Sequence, residues 1–574
     1  MMRAAALALV LVLSGDVRAT EPADAPVIQG RPEVTGNPNP RVPLAAIIRF
    51  DVDRPVRTTV TVSDGERRWQ VVFPLTTDPA KGLPILGLRP GMRHDFDLVL
   101  EDQAGKRAQH RMTQSFITPS LPLDSREWPT LRVVTSRSEL VEPGFTLLSV
   151  RRRTFGRGFR LAESERRFTE DWGLILGLDS HGEVVWFYRS NDRIAGVDRL
   201  RNGNLLFHLE DFKTREIDML GNTVREFYAE LRPWGKAPGA IPIRGIQTLH
   251  HQPHEMPNGD FLAFAANARE IENYYTSETD LAAPRKTQKV IGDTVIQFDK
   301  DGRIVWSWNA FDHLDVFRIG YDLMDPYWYP RGFPGHLDWT HGNGIDYDPR
   351  DDSVVFYLKH QDAAFKVDRA TGNIRWIFGD PSGWAEHLQD RVLKPVGDLR
   401  WPYHAHNPRL SSAGTLVMYD NGHWGARPFT GQRPLSPNEA FSRGVEFEID
   451  EKKMTVREVW SSHRAKSPDS CHSNGMGDAH RLPKTGNILV IDPVCWDQDS
   501  EPLTYRQRDF SKRHPSELYH SPRIREYHRH TRGTEIVWEV RLVDPYETVN
   551  WQVYGGLRVP SLYPTGALLG DPAR

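Results

Sequence analysis

Three histidines stand at positions where an imidazole could do chemistry. His251 and His406 each lie seven residues before the residue that precedes a turn glycine, and His341 stands just before another apolar segment. A neutral imidazole can attack an electrophile or move a proton, so three that converge predict a catalytic site. A single histidine at the start of a strand is more often a structural hydrogen-bonding residue. The corresponding positions of these three favour the catalytic interpretation.

The same region allows two other interpretations. Imidazole suits zinc, copper, iron or nickel, so a divalent metal in a lyase or hydrolase site is one alternative, although the spacing matches no closed metal motif. Its ligands would come from His250, His251, His254, His341, His404 and His406, with Glu255 nearby. The other alternative is a non-catalytic module that binds a ligand. Such a surface would more naturally present exposed aromatic side chains than titratable groups.

Two short elements repeat along the chain and predict the framework that positions these histidines. The first is a glycine-containing turn followed by β-branched and aromatic residues, and the second is a turn followed by a hydrophobic strand. The first recurs at 179–186, 218–224, 299–306, 368–376, 450–460 and 533–538, and the second at 202–206, 257–262, 413–417 and 485–490. Two hairpins per period imply four strands, and six periods predict an all-β, six-bladed β-propeller. Equivalent positions on the blades face the central channel, where the histidines would meet.

The N-terminal part of the chain has a different pattern. One arginine, ten apolar residues and a polar stretch that ends Val17-Arg18-Ala19 are typical of a secretory signal peptide over residues 1–19. Short alternating segments then predict a small immunoglobulin-like β-sandwich. The predicted boundaries are the sandwich over 20–118, a linker over 119–134 and the catalytic propeller over 135–574. A periplasmic or secreted location is expected.

Composition excludes several classes of function. The 574 residues carry a formal net charge of −3 at pH 7, without a clustered basic face, so no nucleic-acid partner is expected. No later segment reaches the roughly 20 apolar residues of a membrane helix, so no membrane span is expected. The oligomeric state is left open, with a homodimer as one option.

Several segments between residues 170 and 563 are specific in combination. They are His250-His251 ahead of Pro257-Asn258-Gly259; 341–349, which begins His341-Gly342-Asn343-Gly344; 374–381; His406 ahead of Tyr419-Asp420-Asn421-Gly422; and 558–563. Together they resemble the bacterial arylsulfate sulfotransferases, which transfer a sulfuryl group between phenols without a nucleotide sulfate donor. The resemblance implies a six-bladed propeller with its active site in the channel.

The resemblance also implies roles for individual residues. His406 would be the nucleophile, giving a sulfated histidine and ping-pong kinetics, and His251 would exchange protons with the phenols. Lys359, Asn343 and His341 would hold the sulfuryl oxygens. Lys359 departs from the arginine that is usual in the family, which keeps the charge but loses the planar fork that grips two oxygens.

Substrates and further site residues follow from the same resemblance. The expected partners are an aryl sulfate donor and a phenolic acceptor, and no metal or other cofactor is required. His250 and His404 are expected to line the substrate pocket.

Cys471 and Cys495, 24 residues apart, flank a turn-and-strand unit and are predicted to form a disulfide in an exported protein.

Overall fold

The protein is built almost entirely from β-strands. The computed structural model describes residues 25–154, 162–209, 212–436, 439–467, 470–495, 521–530, 533–564 and 568–570. Strands hold 49% of the residues and helices 5%, which confirms the all-β prediction. The predicted signal peptide, residues 1–19, lies outside the described residues.

The N-terminal region forms two sheets. Its strands are β1 (Ile28–Gly36), β2 (Ala46–Val52), β3 (Val56–Ser63), β4 (Arg68–Phe73), β5 (Leu83–Ile85), β6 (Arg93–Asp102), β7 (Arg107–Arg111) and β8 (Phe116–Ile117). One sheet has the order β1-β2-β5, and β4, β3, β6 and β7 follow one another in the other. Apolar side chains alternate along β3 and β6 and are buried, so each strand turns one face toward a shared core. The immunoglobulin-like type of this region stays a prediction.

The strands that follow form six further sheets built on four antiparallel strands each, except for the last strand, which pairs with the N-terminal region. They are β9 (Thr130–Ser136), β10 (Phe145–Arg153), β11 (Gly173–Leu178), β12 (Val184–Ser190), β13 (Ile194–Arg199), β14 (Leu205–Leu209), β15 (Lys213–Ile217), β16 (Thr223–Ala229), β17 (Ile241–Ile243), β18 (His250–Glu255), β19 (Phe261–Tyr274), β20 (Lys286–Phe298), β21 (Ile304–Asn309), β22 (His336–Asp338), β23 (Gly342–Asp348), β24 (Ser353–Leu358), β25 (Ala363–Asp368), β26 (Ile374–Gly379), β27 (Lys394–Pro395), β28 (His406–Leu410), β29 (Leu416–Asp420), β30 (Arg443–Asp450), β31 (Thr455–Ser461), β32 (Asp478–Arg481), β33 (Ile488–Cys495), β34 (Ser521–His530), β35 (Gly533–Val543), β36 (Asn550–Val559) and β37 (Leu568–Gly570). Two short α-helices lie in the connections, α1 (Glu163–Glu170) and α2 (Ala310–His313).

The six sheets share one plan and close into a ring. From the innermost strand outward, they run β36-β10-β11-β12, β13-β14-β15-β16, β18-β19-β20-β21, β23-β24-β25-β26, β28-β29-β30-β31 and β32-β33-β34-β35. Each innermost strand contacts the innermost strand of the next sheet, and β32 contacts β36. The C-terminal strand β36 therefore completes a sheet whose other strands come from the start of the ring. This is the radial arrangement of a β-propeller, as the repeats predict.

The repeated sequence elements mark the same hairpins in each sheet. All six copies of the first element join the third strand to the fourth, from the β11–β12 turn to the β34–β35 turn. The four copies of the second element join the first strand to the second, as at the β18–β19 and β28–β29 turns. The innermost strand therefore precedes each copy of the second element, which puts His251 and His406 on the channel side.

Tryptophans of the fourth strands bridge neighbouring sheets. In four sheets an indole N–H donates a hydrogen bond to the third-to-fourth-strand hairpin of the next sheet. The pairs are Trp186 to the Met219 carbonyl at 3.0 Å, Trp308 to the Gly372 carbonyl at 3.1 Å, Trp376 to Glu451 Oε1 at 3.2 Å and Trp460 to Thr534 Oγ1 at 3.1 Å. These bonds give the plentiful tryptophans a structural role, because they tie consecutive sheets without disulfides.

The Trp186→Phe substitution is expected to destabilise the protein by about 1–3 kcal/mol. Phenylalanine keeps an aromatic ring in this fully buried position but leaves the buried Met219 carbonyl without its donor. The denaturant midpoint, followed by tryptophan fluorescence and by circular dichroism, measures the change. Trp234→Phe is the matched control because Trp234 is 53% exposed, and an equal shift in both variants would contradict the bridging role.

Two strands lie in sheets that the predicted domain boundaries assign elsewhere. Strand β9 begins inside the predicted linker, yet it pairs with β35 at the outer edge of a propeller sheet. Strand β37 pairs with β4 of the N-terminal region. The two regions also meet directly, since the Leu86 amide donates to the Tyr563 hydroxyl at 2.7 Å.

No helix in the described part of the chain is long and apolar enough to span a membrane.

Candidate active site

Three innermost strands carry the predicted histidines at their N-terminal ends. His251 is the second residue of β18, His341 immediately precedes β23, and His406 opens β28. Each strand has a register shift at this end, between His250 and His254, between Gly342 and Gly344, and between His406 and Arg409. A β-bulge redirects side chains away from the regular alternation. The three bulges therefore aim the imidazoles at one end of the channel.

The backbone at this end is strained as well as bulged. His251, His341, His404 and Met476 have φ values of 61°, 52°, 55° and 63°, in the left-handed region that favours glycine. Such conformations cost about 1–3 kcal/mol each and persist where the surrounding structure fixes them, commonly at functional sites.

The imidazoles form a buried cluster. The ring centroid of His251 lies 5.1 Å from that of His341 and 6.5 Å from that of His406, and all three side chains are buried. The cluster continues from His341 to His360 and from His360 to His404, with centroids 5.1 and 5.6 Å apart. The structure therefore brings together residues that are 155 positions apart in the sequence, from His251 to His406.

The hydrogen bonds of His406 fix its tautomer. Asn421 donates its side-chain N–H groups to the carbonyls of Ser473 and Met476, so its Oδ1 is an acceptor that faces His406 Nδ1 at 2.8 Å. On the other side of the ring, the Met476 amide donates to Nε2 at 2.9 Å. A neutral imidazole has one donor and one acceptor, so the proton sits on Nδ1 and the lone pair on Nε2.

The environment of His406 keeps it neutral. Burial, with a smaller contribution from the charge of Lys359, lowers the pKa of His406 to about 3, although the hydrogen bond to Asn421 opposes the shift. An uncharged ring with a fixed lone pair is the form of histidine that acts as a nucleophile.

His250 and His251 form a pair that can carry a proton. Their Nδ1 atoms are 2.7 Å apart, and His250 Nε2 lies 2.8 Å from Asp293 Oδ1. A carboxylate beside Nε2 favours the proton there, so Nδ1 of His250 accepts from His251 and Nε2 of His251 keeps a lone pair. Burial lowers the pKa of His251 well below its usual value, and the neighbouring imidazoles add to this effect. His251 is therefore neutral in this structure, and its Nε2 is the lone pair at which a proton can be taken up.

His341 is held by a carboxylate. Its Nδ1 lies 2.5 Å from Asp338 Oδ2, and Asp338 Oδ1 accepts the indole N–H of Trp328 at 2.9 Å. Burial lowers the pKa of His341 well below its usual value, and Lys359 adds to the shift. The neutral ring then carries its proton toward Asp338, so its Nε2 accepts rather than donates.

Asn343 contacts the strand that carries His406. Its side-chain amide donates to the Ala405 carbonyl at 3.2 Å and lies 3.3 Å from His406 Nδ1. Its Oδ1 is buried without a hydrogen-bond partner in the described structure. Because the amide nitrogen faces the protein, this geometry favours Asn343 as a residue that positions His406.

Lys359 enters the site from the turn after β24. Its ammonium lies 3.4 Å from Asp322 Oδ2, and the side chain is mostly buried. Its charge contributes to the lowered pKa values of His341, His360 and His406. Lys359 is thus a fixed positive charge within electrostatic reach of the imidazole cluster.

His404 lies at the edge of the cluster, between two carboxylates. Its Nδ1 bonds Asp362 Oδ1 at 2.9 Å, and its Nε2 lies 3.4 Å from Asp322 Oδ2. Burial opposes a charge on His404, but Asp362 and Asp322 raise its pKa overall.

The histidine set of the metal alternative does not converge as one group. His254 lies between Asp198 and Asp346, with ring nitrogens 3.5 Å from each carboxylate, and Glu255 accepts the Arg201 amide. Among the described residues, the groups with metal-ligand spacing contain His341, His360 and His404 but not His250, His251, His254 or His406. The alternative therefore loses most of its predicted ligands.

Sequence reasoning missed the partners that orient the imidazoles. They are Asp293, Asp338, Asn421 and the backbone amide of Met476. The segment Tyr419-Asp420-Asn421-Gly422 belongs to those that carry the family resemblance, but nothing in it assigns a role to Asn421, which directly follows β29. Asp293 gave no local signal because it lies on β20, 43 positions after His250, and Asp338 stands three residues before His341 at the end of the short strand β22.

The two cysteines anchor the loop that reaches His406. Cys471 and Cys495 are disulfide-bonded with Cα atoms 4.9 Å apart. The loop from Cys471 to β32 carries Ser473 and Met476, whose backbone atoms contact Asn421 and His406. The disulfide is therefore part of the framework behind the site.

A β-propeller whose innermost strands gather buried, neutral imidazoles at one end of the channel is, by its fold and site, a propeller enzyme. The chain belongs to the Arylsulfotransferase (ASST) family, whose model matches residues 133–541. The match confirms two predictions from the sequence: the resemblance to the arylsulfate sulfotransferases and the enzyme class, a transferase.

Individual relatives agree with this assignment. The chain is 25% identical over 514 residues to the arylsulfate sulfotransferase AssT of Escherichia coli O6:H1, covering 75% of this chain and 80% of that protein. It is 25% identical over 348 residues to the arylsulfate sulfotransferase AssT of Lelliottia amnigena, covering 51% and 53%. Among solved structures, the Cps50 (Swd1) β-propeller domain of Myceliophteria thermophila matches with a TM-score of 0.28 at 11% identity, covering 72% of this chain and 100% of that one.

Proposed function

We propose that this protein transfers a sulfuryl group from an aryl sulfate donor to a phenolic acceptor, through a sulfated His406. Aryl sulfates are the donor class named for the two relatives, the arylsulfate sulfotransferases AssT. The observation that carries it is the fixed tautomer of His406, which leaves a neutral lone pair on Nε2.

In the first half-reaction Nε2 of His406 attacks the sulfur of the donor. An N–S bond forms and the S–O bond to the aryl group breaks, so a phenolate leaves. The donor has to displace the Met476 amide first, because that amide now occupies the Nε2 lone pair. As the negative donor binds, it favours uptake of one proton from solvent at His251 Nε2, and this proton passes to the phenolate oxygen as the S–O bond breaks.

In the second half-reaction a phenolic acceptor attacks the sulfated histidine. The new S–O bond forms, the N–S bond breaks, and the phenol proton passes to Nε2 of His251. His406 returns to its neutral form, with Nδ1–H still donated to Asn421. Because the first product leaves before the acceptor reacts, ping-pong kinetics are expected.

The charge of the transferring group needs a fixed positive partner. By analogy with phosphoryl transfer, the sulfuryl group passes through a loose transition state with charge on its outer oxygens. Lys359 supplies that partner. Asn343 and His341 were expected to hold sulfuryl oxygens as well, but the Asn343 amide donates to the Ala405 carbonyl, and neutral His341 directs its N–H to Asp338. Aryl sulfates have good leaving groups, so the reaction needs no metal.

Two features support an exported location. The sequence begins with the pattern of a signal peptide, and the Cys471–Cys495 disulfide is of the kind that persists in oxidising compartments. We place the enzyme in the periplasm or outside the cell.

A chromogenic assay tests the proposed reaction. Purified protein is mixed with an aryl sulfate whose free phenol absorbs visible light, with and without an unsulfated phenol as acceptor. Sustained release of coloured phenol only when acceptor is present, together with the sulfated acceptor in the products, supports transfer. Sustained release without acceptor would show a hydrolase instead.

Lys359→Arg is expected to preserve or raise kcat/KM on aryl sulfates. Arginine keeps the charge and adds a planar fork that can hold two oxygens at once. Lys359→Met, which keeps the length but not the charge, should lower kcat/KM about 10²-fold. Steady-state kinetics on both variants make the comparison, and full activity in Lys359→Met would refute the role of the charge.

A further inference from the structure

We propose that Asp322, His360 and His404 form a binding site for a divalent ion of the zinc class. One carboxylate oxygen of Asp322 and one ring nitrogen each of His360 and His404 lie within 4.8 Å of one another. The site lies at the His360–His404 end of the imidazole cluster and shares none of the residues that transfer protons. It neither supports nor depends on sulfuryl transfer.

The two imidazoles are already oriented as metal ligands. His404 directs Nδ1 to Asp362 Oδ1 at 2.9 Å, and His360 directs Nδ1 to the Asp338 carbonyl at 2.5 Å. Metal-binding histidines nearly always donate one ring N–H to a carboxylate or carbonyl, which leaves the other nitrogen free for the ion.

Neither free nitrogen has a well-formed hydrogen bond, although His404 Nε2 lies 3.4 Å from Asp322 Oδ2. Nε2 of His360 and Nε2 of His404 are buried and make no hydrogen bond to any described residue. The side chains are 1% and 0% exposed. A buried polar atom left unpaired is costly, so two imidazoles in this state, each with a ring nitrogen within 4.8 Å of an Asp322 oxygen, favour a ligand between them.

Asp322 completes the donor set. The Trp424 indole N–H holds Oδ1 at 3.0 Å, so Oδ2 is the oxygen that faces His404 Nε2, at 3.4 Å. Two ligands about 2.1 Å from a tetrahedral ion are about 3.4 Å apart. Two nitrogens and one carboxylate suit zinc and its neighbours better than magnesium or calcium, which prefer oxygen.

Lys359 is the competitor for this site. Its ammonium lies 3.4 Å from the same Asp322 Oδ2, so it balances the carboxylate charge when no ion is bound. A divalent ion repels that ammonium, so the two cations compete for the same carboxylate oxygen. Removal of the lysine charge should therefore strengthen metal binding, whereas removal of a ligand should weaken it.

Zinc titration of the full-length protein tests the site. Chelator-treated protein is titrated with Zn²⁺ by calorimetry, and elemental analysis counts the bound ions. We expect one tight ion per chain, a Kd raised at least about tenfold by Asp322→Asn, His360→Asn or His404→Asn, and a lower Kd for Lys359→Met. His181→Asn, which removes an exposed imidazole, is the control and should not change the Kd.

Two outcomes would overturn the proposal. One is the absence of stoichiometric zinc, and the other is a Kd that stays unchanged in all three ligand variants while circular dichroism shows them folded. If the variants do not fold, zinc X-ray absorption on the unmodified protein decides, since a first shell without two imidazole nitrogens contradicts the site. All these readouts are independent of turnover, so failure of the proposed transferase reaction would leave them unaffected.

Discussion

His406→Asn is expected to lower the turnover of aryl sulfates by about 10³-fold or more, while the protein stays folded. Asparagine can keep a hydrogen bond to Asn421, but it offers no lone pair that can attack sulfur. Steady-state release of a coloured phenol measures the loss, and the thermal midpoint checks the fold. His254→Asn is the matched control, because His254 also lies on an innermost strand but its ring nitrogens lie beside Asp198 and Asp346, away from the site.

The same prediction has a covalent readout. Mixing the unmodified enzyme with donor and no acceptor should add one sulfuryl group to the peptide that carries His406, and added phenol should remove it. His406→Asn should show no such adduct. If an active enzyme never forms the adduct and His406→Asn still turns over, direct transfer between the two phenols must replace the sulfated histidine.

His251→Asn is expected to lower turnover by about 10²- to 10⁴-fold for donors whose phenol is a poor leaving group, and much less for donors whose phenol is strongly acidic. A poor leaving group needs a proton as the S–O bond breaks, and the His250–His251 pair backed by Asp293 can deliver it. An acidic phenol leaves as the phenolate without that help.

A series of donors with graded phenol pKa values measures this difference. The logarithm of kcat/KM should depend more steeply on the leaving-group pKa in His251→Asn than in the unmodified enzyme. The second half-reaction is followed by mixing enzyme that is already sulfated with the acceptor. It should also slow in His251→Asn, because no imidazole at that position accepts the proton of the phenol. Equal slopes for both enzymes would rule out His251 as the proton carrier.

Much of the framework could be predicted from short segments of the sequence. The glycine turns at 179–186 or 299–306 form hairpins through hydrogen bonds between residues a few positions apart, and alternating apolar residues set which face of each strand is buried. Because these interactions are local, six copies of one pattern were enough to predict an all-β propeller. The domain boundaries were harder to predict from such local patterns, because β37, near the C-terminal end of the chain, pairs with a strand of the N-terminal sheet.

The sequence by itself determined which residues reach the site, and the tertiary structure decided what state they are in. His251, His341 and His406 could be found because they hold equivalent places before their strands. Their protonation could not, because the groups that fix it come from other elements, such as Asp293 for His250 and Met476 for His406. Those contacts form only when the ring of sheets closes and brings residues tens of positions apart together. Short sequence patterns therefore cannot predict them.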